Sequence, residues 1–220
     1  MPDILEIDSV IKSYNGKQVL TDIYLKCETG NIVGLLGRNG SGKSTLLKIL
    51  FGTVLADRKF IKSNGKVYNK PYKETGLITY LPQDNFLPHN LKIETIVAAY
   101  LGENRVVSFL DDQLLVKLWG QKVSSLSGGE LRYLEIKLLL ESSSKFVLLD
   151  EPFNGVAPVL IDTIKDLIRQ AALTKGIILT DHDYRNVLDV ANTWHIVFDG
   201  AIKQINHLDE LYRYGYIPDL

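Results

Sequence analysis

The run Gly37-Arg-Asn-Gly40-Ser-Gly42-Lys43-Ser44-Thr45 limits what this chain can fold into more than any other stretch. It fits G-x-x-x-x-G-K-[ST] in full. It follows the apolar run Ile32–Leu36 and precedes Leu46, Leu47, Ile49 and Leu50, which recur at helical spacing up to a natural stop at Gly52. Glycines let the backbone wrap so that successive N–H groups converge on an anion, and the helix N-terminus adds partial positive charge. Lys43 then places a cation on terminal phosphates, and the Ser44 hydroxyl can ligate Mg²⁺. Gly37, Arg38, Asn39, Gly40, Ser41, Gly42, Lys43, Ser44 and Thr45 are therefore candidates for the phosphate-holding part of an ATP site.

A loop of this kind needs a sheet behind it. Lys145–Leu149 and Ile177–Thr180 read as further buried-type strands, with a helix between them that Pro158 can open and that Leu160, Ile164, Leu167, Ile168 and Ala171 line on one side. This strand–helix–strand alternation indicates an α/β fold with a mostly parallel sheet. Ile4–Val10 and Val19–Leu25 form an N-terminal antiparallel pair around the turn Asn15-Gly16. Short strands fill the stretch from Phe60 to Leu81, with turns at Asn64-Gly65 and Asn69-Lys-Pro71. Asp199-Gly200 joins Trp194–Phe198 to Ala201–Ile205 as a terminal hairpin. From about Asn85 to Glu141 the pattern is helical, with Ile93, Ile96 and Val97 on one face and Leu110, Leu114, Leu115 and Leu118 on another. One domain over 1–220 is expected, its core in 1–84 and 142–220 and a helical subdomain inserted at 85–141.

Two further elements carry chemistry. Phe146-Val-Leu-Leu-Asp150-Glu151-Pro152 is an apolar strand ending in two carboxylates, which puts them at the sheet edge where open α/β folds bind ligands. Asp150 suits an outer-shell partner for Mg²⁺, and Glu151 suits a general base for an attacking water. Standing alone, the pair reads equally well as solvated acids capping a strand. Leu126-Ser127-Gly128-Gly129-Glu130 opens a helix through Leu131, Leu134 and Leu138, with Ser127 and Glu130 spaced as a capping box. The two glycines there make a second anion-receptive helix start.

In this order the three elements resemble the nucleotide-binding subunit of ATP-binding cassette (ABC) transporters, a resemblance that runs over essentially all 220 residues. It implies that Tyr14 stacks on adenine and that Gln83, in Tyr80-Leu-Pro-Gln83, touches Mg²⁺ and links the core to the helical subdomain. It implies that His182 contacts the γ-phosphate. Glu151, His182 and Gln83 are then the catalytic set, and Ser44, Gln83 and Asp150 the metal set, with ATP and Mg²⁺ bound. Two subunits are expected to pair head to tail as a homodimer, Ser127, Gly128 and Gly129 of one chain closing on the ATP held by the other. Transmembrane permease subunits are the further partners. His89, His195 and His207 match no family position and read as surface or packing residues.

The chain departs from the family after Pro152. The usual aspartate is replaced by Ala157 in Gly155-Val-Ala157-Pro158, although the frame resembles a compact bacterial group that includes lipopolysaccharide-export and branched-chain amino-acid ATPases. Only about 44 positions separate Gln83 from Ser127, a short insertion.

Bulk properties narrow the function classes. With 25 basic and 26 acidic side chains the net charge is -1, so no direct nucleic-acid binding is expected. Cys27 is the only cysteine, which rules out an internal disulfide. No signal peptide is recognisable, and no apolar run reaches the roughly 20 residues of a bilayer span. A cytoplasmic protein attached to the membrane through its partners is expected. Beside the transporter reading stands a non-transport ABC ATPase driving a cell-envelope or macromolecular remodelling complex. Long coiled-coil inserts or a second cassette would favour that class, and neither is present. A nucleotide-gated binding module with little hydrolysis is disfavoured by the intact Glu151.

Overall fold

Three glycine-containing turns read from the sequence close three antiparallel hairpins in the computed structural model, which describes residues 1–103, 106–109 and 111–217. Asn15-Gly16 joins β1 (Ile4–Tyr14) to β2 (Lys17–Glu28), and Asn64-Gly65 joins β4 (Arg58–Ser63) to β5 (Lys66–Val67). Asp199-Gly200 joins β9 (Thr193–Phe198) to β10 (Ala201–Ile205). All six turn residues have positive φ, between 48° and 81°, as the primed hairpin turns demand. β1 and β2 extend beyond the apolar runs that signalled them. Register shifts bend β1 around Ser9, itself at φ 53°.

The first hairpins build a four-stranded antiparallel sheet, β2-β1-β4-β5. The second sheet has the order β10-β9-β3-β8-β7-β6, from β3 (Ile32–Leu36), β6 (Ile78–Leu81), β7 (Phe146–Asp150) and β8 (Gly176–Thr180). All its neighbours are parallel except β10 on β9. Side chains alternate across a strand, and here each face has its own core. Phe146, Leu148, Ile178, Val33 and Leu35 pack with the antiparallel sheet and α1 (Lys43–Phe51). Val147, Leu149, Ile177, Leu179, Ile32 and Leu36 pack with the helices on the other side. Cover on both faces explains why β3, β7 and β8 read as continuous apolar runs.

The helices on that second face are α2 (Ile93–Leu101), α3 (Val106–Phe109), α4 (Gln113–Leu118), α5 (Gly128–Glu141), α6 (Pro158–Ala172) and α7 (Tyr184–Val190). Ile93, Ile96 and Val97 are buried together, as are Leu115 and Leu118, while Leu114 is half-buried and Leu110 lies outside the described residues. Neither α7 nor the last helix, α8 (Asp209–Arg213), is evident in the sequence pattern. The helix α5 departs most from expectation. Every residue from Leu131 to Leu140 is buried, charged ones included, so the helix is central rather than amphipathic. Its apolar side chains join the 93–118 helices and the sheet in one continuous cluster.

Candidate functional site

The phosphate-type loop occupies the turn between β3 and α1. Gly37 has φ 143°, and a Cβ there would stand 2.6 Å from the Val197 carbonyl. Gly42, at φ 107°, opens α1, and a Cβ would meet Leu20 at 2.9 Å. Only glycine serves at either point, so the tight wrap is a requirement of this loop. Among the described residues, Ser41 Oγ is buried with no hydrogen-bond partner. Lys43 Nζ folds back to donate to the carbonyl oxygens of Gly37 (2.5 Å) and Arg38 (3.1 Å). Burial pushes its ammonium below the usual lysine range, with Glu151, Asp150 and Asp181 pulling the other way. An orphaned hydroxyl and a desolvated cation at one helix start fit a polyphosphate.

A cleft of about 560 Å³ opens above this loop, lined by Tyr14, Val19, Asn39 through Thr45, Gln83, Glu151, Asn154 and His182. Five separate stretches of sequence thus meet at one place, four of them brought together by the ends of the parallel strands β3, β6, β7 and β8. Tyr14, at the end of β1, is 43% exposed and carries Lys12 Nζ 4.6 Å from its ring centroid on one face. Gly37 does not line the cleft. Arg38 turns to a neighbouring cavity of about 560 Å³ shared with Phe198, Tyr214 and Tyr216.

Asp150 sits beneath the cleft, fully buried. Ser44 Oγ donates to its Oδ1 and Tyr80 Oη to its Oδ2, both at 2.9 Å. Burial raises the Asp150 carboxyl above its ordinary range, the two hydroxyl bonds lower it, and nearby Glu151 raises it again. Burial and the adjacent carboxylate push the Tyr80 phenol up, so it remains a donor. Gln83 Nε2 donates to Ser44 Oγ at 3.2 Å. Ser44, Gln83 and Asp150 thus offer a converging, all-oxygen set once the Gln83 amide turns its oxygen inward, the chemistry Mg²⁺ prefers. Among the described residues no cluster of three or more His, Cys, Asp or Glu could hold an ion by itself. Mg²⁺ commonly completes its shell with water and substrate phosphates instead.

Glu151 has φ 53°, unusual for a non-glycine residue, and its N–H donates to the Thr180 carbonyl at 2.8 Å. Its Oε1 accepts from Gln83 Nε2 at 2.9 Å and its Oε2 from Asn154 Nδ2 at 3.4 Å. His182 follows β8, its Nδ1 3.1 Å from Oδ1 of the buried Asp181. Asp181 also accepts from the N–H groups of Asp183 (3.0 Å) and Phe153 (3.1 Å). Burial raises its carboxyl, opposed first by these backbone bonds.

Beneath both carboxylates, α5 carries a buried Arg132–Glu135 pair at 3.4 Å. Arg132 donates to the carbonyls of Pro82 (2.7 Å), Asp150 (2.8 Å) and Glu151 (2.9 Å). Glu135 Oε1 accepts from the N–H groups of Phe86 (2.7 Å) and Leu87 (3.3 Å). The Gln83 loop is thereby held on both flanks by α5.

Ser127, Gly128 and Gly129 do not line the cleft. They start α5 with the capping box read from the sequence: Ser127 N–H donates to Glu130 Oε2 at 2.8 Å, and Glu130 N–H to Ser127 Oγ at 3.3 Å. Among the described residues nothing beyond its chain neighbours and its own helix backbone lies within 4 Å of a Cβ placed on Gly128, so those surroundings do not demand glycine there. Sequence reasoning passed over Asn154, Tyr80 and Asp181 as site residues. Each stands beside a recognised motif, and only the tertiary contacts give it a role. His89 and His207 are exposed and His195 is partly buried, none of them in the cleft.

Comparison with known proteins agrees with this layout. A family model described as ABC transporter matches residues 20–154. The lipopolysaccharide export system ATP-binding protein LptB of Acidithiobacillus ferridurans is 34% identical over 92% of this chain and 89% of its own length. LptB of Escherichia coli (strain K12) is 34% identical, over 90% and 88%. A probable ABC transporter ATP-binding protein of Azorhizobium caulinodans is 34% identical, over 87% and 73%. Among solved structures, an ATP binding subunit of an ABC transporter superposes with a TM-score of 0.82 at 24% identity, over 98% of this chain and 95% of that one. A nucleotide-free ATP-binding cassette also gives 0.82, at 22% identity, over 98% and 96%.

Proposed function

The chain belongs to the ABC transporter ATPase family, and from that premise we propose how its own residues bind and hydrolyse ATP to drive a transporter. The observation that carries the reading is the single cleft in which Tyr14, Lys43, Ser44, Gln83, Glu151 and His182 meet. Adenine stacks on the free face of Tyr14. The loop N–H groups from Gly40 to Thr45 and the Lys43 ammonium take the phosphates, Lys43 exchanging its carbonyl contacts for phosphate oxygens. Ser44, Gln83 and Asp150 would hold Mg²⁺, which neutralises charge on the β- and γ-phosphate oxygens. Glu151, fixed at both carboxylate oxygens, orients a water and takes its proton as that water attacks the γ-phosphorus and the bond from that phosphorus to the bridging oxygen breaks, ADP leaving. His182 holds a γ-phosphate oxygen, backed by Asp181.

ABC ATPases work as dimers with transmembrane components. Here the second copy is proposed to supply Ser127, Gly128 and Gly129, supported by the open space beside Gly128. Residues 85–141 form the inserted helical subdomain and the remainder the core. The Arg132–Glu135 contacts give the route by which a change around Asp150 and Glu151 reaches the Gln83 loop. No helix of the described residues is long and apolar enough to cross a membrane. The chain attaches to the cytoplasmic face through permease subunits. Near full-length similarity to lipopolysaccharide-export ATPases favours a cell-envelope transport system as its setting.

Phosphate release by the purified chain, alone and with co-purified membrane subunits, tests this reading. Mg²⁺-dependent ATP hydrolysis is expected, and its absence from both preparations would contradict the proposal.

A further inference from the structure

Tyr80 has no part in the reaction as described so far, yet it contacts a fully buried carboxylate of the site. It stands in β6, three positions before Gln83. Its hydroxyl donates to Asp150 Oδ2 while Ser44 donates to Oδ1, both at 2.9 Å, so each carboxylate oxygen is claimed by one hydroxyl. The Tyr80 ring packs on Phe51 with centroids 5.5 Å apart, and Phe51 packs on Tyr72 at 5.7 Å. Phe51 is the last residue of α1, and Lys43 and Ser44 are its first two. One aromatic ring is therefore held by the far end of the phosphate-loop helix, and its hydroxyl reaches the residue that the near end of that helix also holds.

Orientation is the consequence. Asp150 is fully buried, and a carboxylate held by Ser44 alone could rotate about its side-chain torsion. With the Ser44 proton directed to Oδ1, a lone pair of that hydroxyl stays available to a cation, even with Gln83 donating to the same oxygen. Turning Asp150 away would free the Ser44 proton to point elsewhere and spoil that arrangement.

We infer that Tyr80 is a positioning residue for the Mg²⁺ side of the site, its hydroxyl fixing the Asp150 carboxylate and, through it, the Ser44 hydroxyl. This rests on reading Ser44, Gln83 and Asp150 as the metal-holding set. It also ties β6, from which the Gln83 loop departs, to that set without passing through Gln83.

Tyr80→Phe deletes the hydroxyl and keeps the ring on Phe51. The test is made in a Glu151→Gln background, so that nucleotide is not consumed. A fluorescent ATP analogue is titrated first with EDTA and then with increasing Mg²⁺. Metal-free affinity should stay within about twofold of the parent. The Mg²⁺ concentration for half-maximal tightening should rise on the order of tenfold, the scale of one hydrogen bond to a charged group. A midpoint within about twofold of the parent overturns the inference, as does an equal loss of affinity with and without Mg²⁺. Ser44→Ala is the reference. If the parent itself ignores Mg²⁺, the metal assignment fails and this inference falls with it. If the parent and Ser44→Ala differ but Tyr80→Phe matches the parent, only the role of Tyr80 is lost.

Discussion

The Gln83 amide donates to Glu151 Oε1 at 2.9 Å and to Ser44 Oγ at 3.2 Å, bridging the carboxylate that follows β7 to the hydroxyl of the phosphate loop. One movable side chain thus touches both the residue proposed to activate water and the residue proposed to hold the metal. Helix α5 grips the backbone on either side of it, at Pro82 and at Phe86–Leu87. Because Arg132 of the same helix also holds the Asp150 and Glu151 carbonyls, α5 ties the Gln83 loop to Glu151, which gives the site a mechanical link to whatever docks on the helical segment.

Glu151→Gln separates binding from chemistry. The amide keeps the side-chain volume and the phosphate contacts are untouched, so ATP should bind as in the wild type and hold a dimer together. Hydrolysis should fall by about 10²–10⁴-fold, the usual contribution of a positioned general base. Size-exclusion chromatography with ATP and a phosphate-release assay check both parts. Turnover at the wild-type rate would remove Glu151 from its role.

Lys43→Met should abolish ATP binding without harming the empty protein. Burial lowers the Lys43 pKa below 10.5, so between the lowered value and 10.5 the unfolded chain binds more protons than the native one. Below that window the native state bears the desolvation of a buried charge, and the cost fades as pH rises through it. Replacing the ammonium by an apolar chain removes the cost at neutral pH. Urea unfolding of the nucleotide-free variant at pH 7 should give a stability at or above wild type. A clear fall would mean that the bonds to Gly37 and Arg38 outweigh desolvation.

How much of this was legible beforehand depends on whether the signal was local. Asn15-Gly16, Asn64-Gly65 and Asp199-Gly200 announced their turns because positive φ is a property of the residue itself. β3, β7 and β8 announced themselves because cover on both faces leaves polar residues only at the strand ends, at Asp150 and Thr180. Ser127 and Glu130 announced the start of α5 because a capping box spans only four residues. The interior of α5 did not follow from its sequence. Arg132, Glu135 and Lys137 look like a solvated face, and only contacts with Pro82, Asp150, Phe86 and Asp112 explain their burial. Tyr80 and Asp181 were unreadable for the same reason, since their partners Asp150 and Phe153 are distant in sequence. The cleft itself was largely legible. Most of its residues could be named from motifs, Asn154 excepted, and the family resemblance already assigned Ser127–Gly129 to the ATP of another chain; the start of α5 indeed lies outside this chain's own cleft.

His195 gives a prediction about acid stability. It is partly buried in β9, its Nδ1 has no partner among the described residues, and burial lowers its pKa to about 4 from 6.5. As pH falls from 6.5 towards 4 the unfolded chain takes up a proton that the native chain refuses, so stability is lost across that window. His195→Gln should remove this component. The stability difference between variant and wild type should shift in the variant's favour by roughly 2 kcal/mol between pH 7 and pH 4, after allowing for partial exposure. Urea titrations at both pH values measure it, and a constant difference would show that His195 titrates normally.

Ala157 is the N-cap of α6 and offers no side-chain bond to it, while Pro158 occupies the first helical turn. Its N–H lies 3.6 Å from where a Cβ on Gly129 would stand, so the cap of α6 and the start of α5 adjoin in one chain. Ala157→Asp therefore has two separable effects. As a cap, the carboxylate can accept from an exposed N–H of α6 and face its positive end, stabilising the isolated chain by about 1 kcal/mol. As a polar group beside Gly129, it restores the aspartate that the family resemblance leads one to expect at this position. ATP affinity should be unchanged, because the phosphate loop is untouched, and turnover should rise in the assembled complex. Urea unfolding of the single chain reads the first effect, and phosphate release by the complex reads the second. A gain in stability with no change in rate would reduce position 157 to a helix cap and leave coupling between the two ATP sites to other residues.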